Sequence, residues 1–130
     1  MTMSDAATVP ADEPIFHLAL PDDWAAAFGD GEYRMSTRGV TLEQEGFIHC
    51  STRAQMEDTA NRFYSDLEQL VVLTIIPRLV PARIVFEPPA PGIDTLFPHV
   101  YGPIPISAVA SAETWVRPAG RPWSLNDHSR

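Results

Sequence analysis

The sequence predicts a single α+β domain, and three observations lead there. Short apolar and β-branched runs of strand length outnumber the helical patterns. The helical patterns fall in the first half of the chain and do not alternate regularly with strands, as a parallel α/β sheet would require. Thirteen prolines, most of them beyond Ile76, keep the elements there short. At 130 residues the chain is long enough to bury one core without a disulfide or a metal to hold it.

The elements follow in order. IFHLAL, from Ile15 to Leu20, alternates and reads as the first strand. Pro21-Asp22-Asp23 then starts a helix through Trp24 and Phe28, with Gly29 expected to end it. Thr41-Leu42-Glu43-Gln44 predicts a short capped helical turn stopped at Gly46, and Phe47 to Cys50 predicts the next strand. Thr52 stands three residues before Gln55, the spacing of a capping box. Met56, Ala60, Phe63 and Tyr64 recur at i, i+4, i+7 and i+8, so a helix runs from about Arg53 to Tyr64. LVVLTII, Leu70 to Ile76, predicts a strand buried on both faces and ended by Pro77. Arg83 to Glu87 is a further strand closed by Pro88-Pro89, Pro91-Gly92 is a turn, and Pro98 keeps Phe97 to Tyr101 extended. Ala110 to Val116 is the last strand. Residues 15–116 are thus read as the domain, residues 1–14 as a flexible tail and 117–130 as a loosely held one.

Composition narrows the function. A formal charge of −8 repels nucleic-acid backbone, so DNA is not an expected partner. All nine cations are arginine, which removes a lysine nucleophile or Schiff base. No apolar stretch approaches the roughly 20 residues of a membrane helix, and the first fourteen residues lack the pattern of a secretory signal. The lone Cys50 excludes an intrachain disulfide, and a cytoplasmic location is the expectation.

Strand alternation assigns the polar groups to faces. His17 falls with Ile15 and Ala19, His49 with Phe47, Glu87 with Val85, and His99 with Phe97 and Tyr101, whereas Cys50 points away from His49. Four strands therefore each carry one titratable group to what can be a common cleft, and His17, His49, His99 and Glu87 are the candidates for proton chemistry. The competing reading makes each of them a hydrogen-bonded packing residue. Ser51, Gln55, Tyr101, Trp24 and Tyr33 are candidate ligand contacts, with equally simple structural roles as helix caps or core aromatics. The start of the Arg53 helix offers free N–H groups beside His49, a place for a phosphate-bearing ligand. No GxSxG, P-loop, HxH, HExxH or CxxC pattern occurs, and no metal ligand set is assigned.

The ordered set IFHL, W-x-x-A, GEY, EGFIHCS, Q-x-x-x-x-AN-x-FY, VFE and FPHVYGPI resembles the bacterial domain-of-unknown-function family 952, from Ile15 to Val116. The resemblance implies a fold similar to ADP-ribosyltransferases and RNA 2′-phosphotransferases: two small, roughly perpendicular sheets forming a cleft for NAD or a related nucleotide, with two or three short helices. It implies that His17 matches a histidine that hydrogen-bonds ribose, that His49 lies where those enzymes use an aromatic ring, and that His99 sits at or near the position of their catalytic glutamate. Imidazole in that place does not stabilise the cationic ribose of nicotinamide cleavage as a carboxylate does, unless Glu87 reaches it. The expectation is a nucleotide or NAD-derived small molecule, as ligand or substrate, in a His-lined cleft, with glycosyl- or phosphotransfer chemistry. The alternatives are a noncatalytic metabolite- or peptide-binding module and a metal-dependent hydrolase.

Overall fold

The computed structural model describes residues 13–125, which fold as a mixture of small antiparallel sheets and three helices. All but two residues of the expected N-terminal tail, and residues 126–130, lie outside the described residues.

The first sheet is organised by the apolar run. β6 (Gln69–Ile75) occupies its centre, flanked antiparallel by β1 (Ile15–Ala19) and β10 (Val109–Val116). A central strand meets packing on both faces, so β6 has no polar side to give away. Its alternation divides two cores: Val71, Leu73 and Ile75 enter one with Ile15, Ala19, Tyr33 and Ile48, while Leu70 and Val72 enter the other with Phe16, Leu18, Met56 and Trp115. The second sheet has β8 (Phe97–Val100) in the middle, between β5 (Ile48–His49) and β7 (Ile84–Glu87), again antiparallel. Two backbone bonds between Phe16 and Ser51, 2.8 and 2.7 Å, tie the first sheet to the chain leaving β5. Two further ribbons were not expected, β2 (Glu32–Tyr33) with β9 (Ile104–Pro105) and β3 (Met35–Thr37) with β4 (Val40–Thr41). Strands of two or three residues are too short to carry a period-2 signal.

Helix α1 (Pro21–Asp30) starts as expected, with Pro at its first position and Asp22 and Asp23 in the first turn, where the helix dipole favours them. It runs through Gly29 and ends at Gly31, which takes the left-handed conformation with φ 82°. Both glycines permit a stop, but only the second closes an N–H to the carbonyl of Ala27. Helix α2 (Leu42–Glu45) has the expected Thr41/Gln44 capping box and stops at Gly46. Helix α3 (Arg53–Phe63) also follows expectation, with Gln55 Oε1 accepting from the Thr52 N–H at 2.9 Å. Met56, Ala60 and Tyr64 are buried, but Phe63, the last residue of the helix, is 55% exposed.

Residues 117–125 are held against the domain, contrary to the expectation of a loose tail. Trp123 is 1% exposed, its indole N–H donates to the carbonyl of Tyr64 at 2.8 Å, and its backbone exchanges two hydrogen bonds with the Asn61 amide. Arg117 Nε donates to the carbonyl of Leu67 at 2.7 Å. Proline-rich, unpatterned sequence conceals this anchoring, because one indole seated on α3 has no periodicity to reveal it.

Candidate functional site

Sheet register assembles the site. Antiparallel pairing sets His49 opposite His99 and Val85 opposite His99, so the middle strand's imidazole has one neighbour from each side. Glu87 lies opposite Phe97, a diagonal neighbour of His99 on the same face. Gly102 lets the chain leave β8 closely past β7's approach, since a Cβ there would meet that of Ala82 at 2.7 Å.

The side chains form a continuous hydrogen-bonded series. Tyr101 O–H and His99 Nδ1–H both donate to Glu87 Oε2, the second at 2.7 Å. His99 Nε2 lies 3.3 Å from His49 Nδ1. Phe47 stacks on the His99 ring with centroids 3.9 Å apart and fixes its plane. Burial raises the pKa of Glu87, but the bonds from Tyr101 and His99 and the nearby Arg83 outweigh it and hold the carboxyl below its ordinary value. The same bond to Glu87, then burial, pushes the Tyr101 phenol up.

His17 belongs to this arrangement as a buried member. It is 2% exposed, its Nδ1–H donates to the carbonyl of His49 at 2.7 Å, and its Nε2 accepts from Tyr33 O–H at 2.9 Å. Both ring nitrogens are thereby used inside the protein. Desolvation lowers its pKa to about 4 and keeps it neutral. Burial pushes Tyr33 upward. Trp24 is likewise a core-side aromatic, packed against Phe28 and Tyr33. Cys50 is buried in the first core, and desolvation drives its thiol pKa up, away from thiolate character at neutral pH.

His49 borders three hollows, although its Nε2 atom is itself buried. It borders a hollow of about 360 Å³ whose other walls include Gln55, Asp58, Arg62, Phe63 and Phe97. It also borders a hollow of about 190 Å³ with Ser36, Glu45, Phe47, Phe63 and His99, and a slot of about 10 Å³ that His17, Ser51 and Thr59 enclose. Phe63 lines all three, which gives its exposed ring a place the core reading lacked. Glu87 borders none of the three. The His49 Nε2 atom is buried and has no hydrogen-bond partner among the described residues, a condition that costs about 1–3 kcal/mol. Desolvation first, then electrostatic coupling to the neighbouring His99 and His17 rings, lowers the His49 pKa to about 4.

The remaining candidates divide. Gln55 lines the larger hollow while capping α3 and donating to the carbonyl of Leu96 at 2.7 Å. Ser51 lies within 3.3 Å of the Thr59 hydroxyl and is not the helix cap, a place Thr52 holds. Residues that sequence reading passed over are Ser36, whose Oγ accepts from the His49 N–H at 3.3 Å, and the α3 stripe of Asp58, Thr59, Arg62 and Phe63. Their i, i+1, i+4, i+5 spacing marks one helical face, a signal present in the sequence but masked by its mixed polarity. Among the described residues no group of three or more His, Cys, Asp and Glu is placed to hold a metal ion, so the metal-hydrolase alternative finds no ligand set there. Nor is any described helix long and apolar enough to cross a membrane.

Comparison with solved structures supports the same architecture. The crystal structure of protein CC0527 from Caulobacter crescentus is 26% identical, with a TM-score of 0.74 over 88% of this chain and 96% of that one. The solution structure of the same protein, at 24% identity, a TM-score of 0.66 and coverage of 88% and 95%, agrees in fold. No curated protein matches. Residues 18–112 match the family model described as a protein of unknown function, DUF952, and with most of its length so matched the chain belongs to that family.

Proposed function

We propose that the 360 Å³ hollow between α3 and the β5–β8 pair binds a nucleotide or NAD-derived small molecule, with His49 as the imidazole that meets it. The observation that carries this reading is the mixture of groups in one wall. Arg62 makes no ion pair among the described residues and is suited to a phosphate. Asp58, one helical turn earlier, is suited to hydroxyls, and Phe63 and Phe97 offer aromatic surface to a base. A hollow of about 360 Å³ falls at the small end of the ligand-pocket range of roughly 300–1,000 Å³, which favours a mononucleotide-sized portion over a whole dinucleotide held inside.

The implied kinship with ADP-ribosyltransferases, including two roughly perpendicular sheets around a nucleotide cleft, is part of this reading. Within it His17 moves from ligand contact to a positioning role behind β5. Glu87 borders none of the three hollows, so nicotinamide cleavage assisted by a direct carboxylate is disfavoured. General acid–base work by His49 at a phosphate or glycosidic bond fits better. The same hollow also serves a noncatalytic metabolite-binding module, and turnover separates the two.

The test is a thermal-shift series with NAD, ADP-ribose and nucleoside phosphates on the wild type and on Arg62→Ala. A ligand at about 100 times its Kd stabilises by ~2.7 kcal/mol, a rise of several degrees, and Arg62→Ala is expected to abolish most of it. No rise with any of these ligands would defeat the nucleotide reading. Release of nicotinamide or phosphate from the stabilising ligand would mark an enzyme.

A further inference from the structure

We infer that Glu87 and His99 are positioning residues of a proton relay that ends at His49, holding His49 Nε2 as a bare acceptor for a hydroxyl of the ligand. The ligand half of this inference rests on the nucleotide reading above; the relay itself does not.

The direction of the relay follows from donor and acceptor accounting. An ionised carboxylate only accepts, so Glu87 Oε2, taking the Tyr101 O–H, also takes a proton donated by His99 Nδ1 at 2.7 Å. A neutral His99 then has a lone pair on Nε2. The nitrogen 3.3 Å away, His49 Nδ1, must carry the hydrogen between them. A neutral His49 with its proton on Nδ1 has an unprotonated Nε2, and this is the atom that is buried without a partner among the described residues. The tautomer of His49 is thus set from Glu87, two residues removed through hydrogen bonds. Three further contacts lock the geometry: Phe47 stacked on His99, the His49 carbonyl held by His17, and the His49 N–H held by Ser36.

The relay gives His49 a way to accept a proton despite its burial. As the O–H bond of a ligand hydroxyl breaks, its proton passes to Nε2 and its electron pair stays on the ligand oxygen as the matching negative charge; the Nδ1 proton passes to His99 Nε2, and the positive charge comes to rest on His99, beside the Glu87 carboxylate. One proton enters and one charge is displaced, with no oxidant, metal or second reactant required. Other charged or titratable groups around His49 are His17 from β1, Glu45 from the end of α2, Asp58 and Arg62 from α3, and Tyr64 just beyond it. None of them is hydrogen-bonded to the His49 ring. A metal ion or a bare anionic oxygen is poorly matched to this acceptor, the first for want of further ligands and the second because it brings no proton. A ribose hydroxyl matches it, with the phosphate of the same molecule on Arg62.

Ring-nitrogen NMR of the 15N-labelled full chain at neutral pH reads the tautomers without any ligand. The expected result is His49 protonated on Nδ1 with a bare Nε2; an Nε2-protonated His49 would overturn the relay. His99→Leu removes the acceptor and is expected to return His49 to the Nε2-protonated form, while the His17 signals, fixed by His49 O and Tyr33, report that the fold survives. If His17 shows the fold lost, the wild-type tautomer decides alone. Adenosine monophosphate is then compared with its 2′,3′-dideoxy counterpart. An upfield move of His49 Nε2 with the first and little with the second supports the hydroxyl, and equal moves overturn it. Silence with both nucleotides, with the tautomers as expected, tells against the nucleotide reading and leaves the relay standing.

Discussion

At the scale of single residues, the same element can carry one apolar side chain for stability and another for binding. Met56 and Phe63 lie seven residues apart on α3, yet the first is buried in the core and the second is exposed beside the hollows. Met56→Ala should therefore cost about 2–5 kcal/mol, whereas Phe63→Ala should cost under about 1 kcal/mol and instead weaken the ligand-induced thermal shift. Denaturant melts of both variants, with and without ADP-ribose, check the contrast. Equal loss of stability would show that Phe63 is a core residue after all. The histidines divide in the same way: His17 spends both nitrogens inside the protein, while His49 keeps one unmatched.

At the scale of elements, local chemistry sets where helices begin and distant packing sets what they hold. Thr41→Ala removes the side-chain oxygen that accepts from the Gln44 N–H and should cost about 1 kcal/mol, read from chemical denaturation. Trp123→Ala should cost about 3–5 kcal/mol, since it empties a buried site and strands the carbonyl of Tyr64 on α3. A chain cut after Val116 should suffer at least as much. A melting temperature unchanged by that truncation would restore the reading of a loose tail. The helix starts were legible because capping boxes and N-terminal prolines act over three or four residues. Phe63 was misplaced because the helical stripe, which includes i+7, does not say where along the helix the packing partner ends, and Phe63 is the last residue of α3.

At the scale of the whole molecule, acid should weaken the fold through its buried imidazoles. The pKa of His17 falls from 6.5 to about 4 on folding, so between those values the unfolded chain binds the extra proton. Stability from this group is fully present above pH 6.5 and is lost as pH falls towards 4, by an amount on the order of 3 kcal/mol. His17→Gln should flatten that part of the stability-against-pH curve, whatever it does to stability at pH 7. A curve with the wild-type slope in the variant would assign the acid sensitivity elsewhere. Local pattern by itself determined the fold class, the main strands and helix starts, and which face of each strand His49, His99 and Glu87 occupy, because strand and helix periodicities are properties of neighbours in the chain. Only the tertiary structure decided that His17 is buried while His49 borders a hollow, that Glu87 is hydrogen-bonded to His99, and that Trp123 closes the second core. Those outcomes depend on pairing register and docking between segments far apart in sequence, which no short window of residues contains.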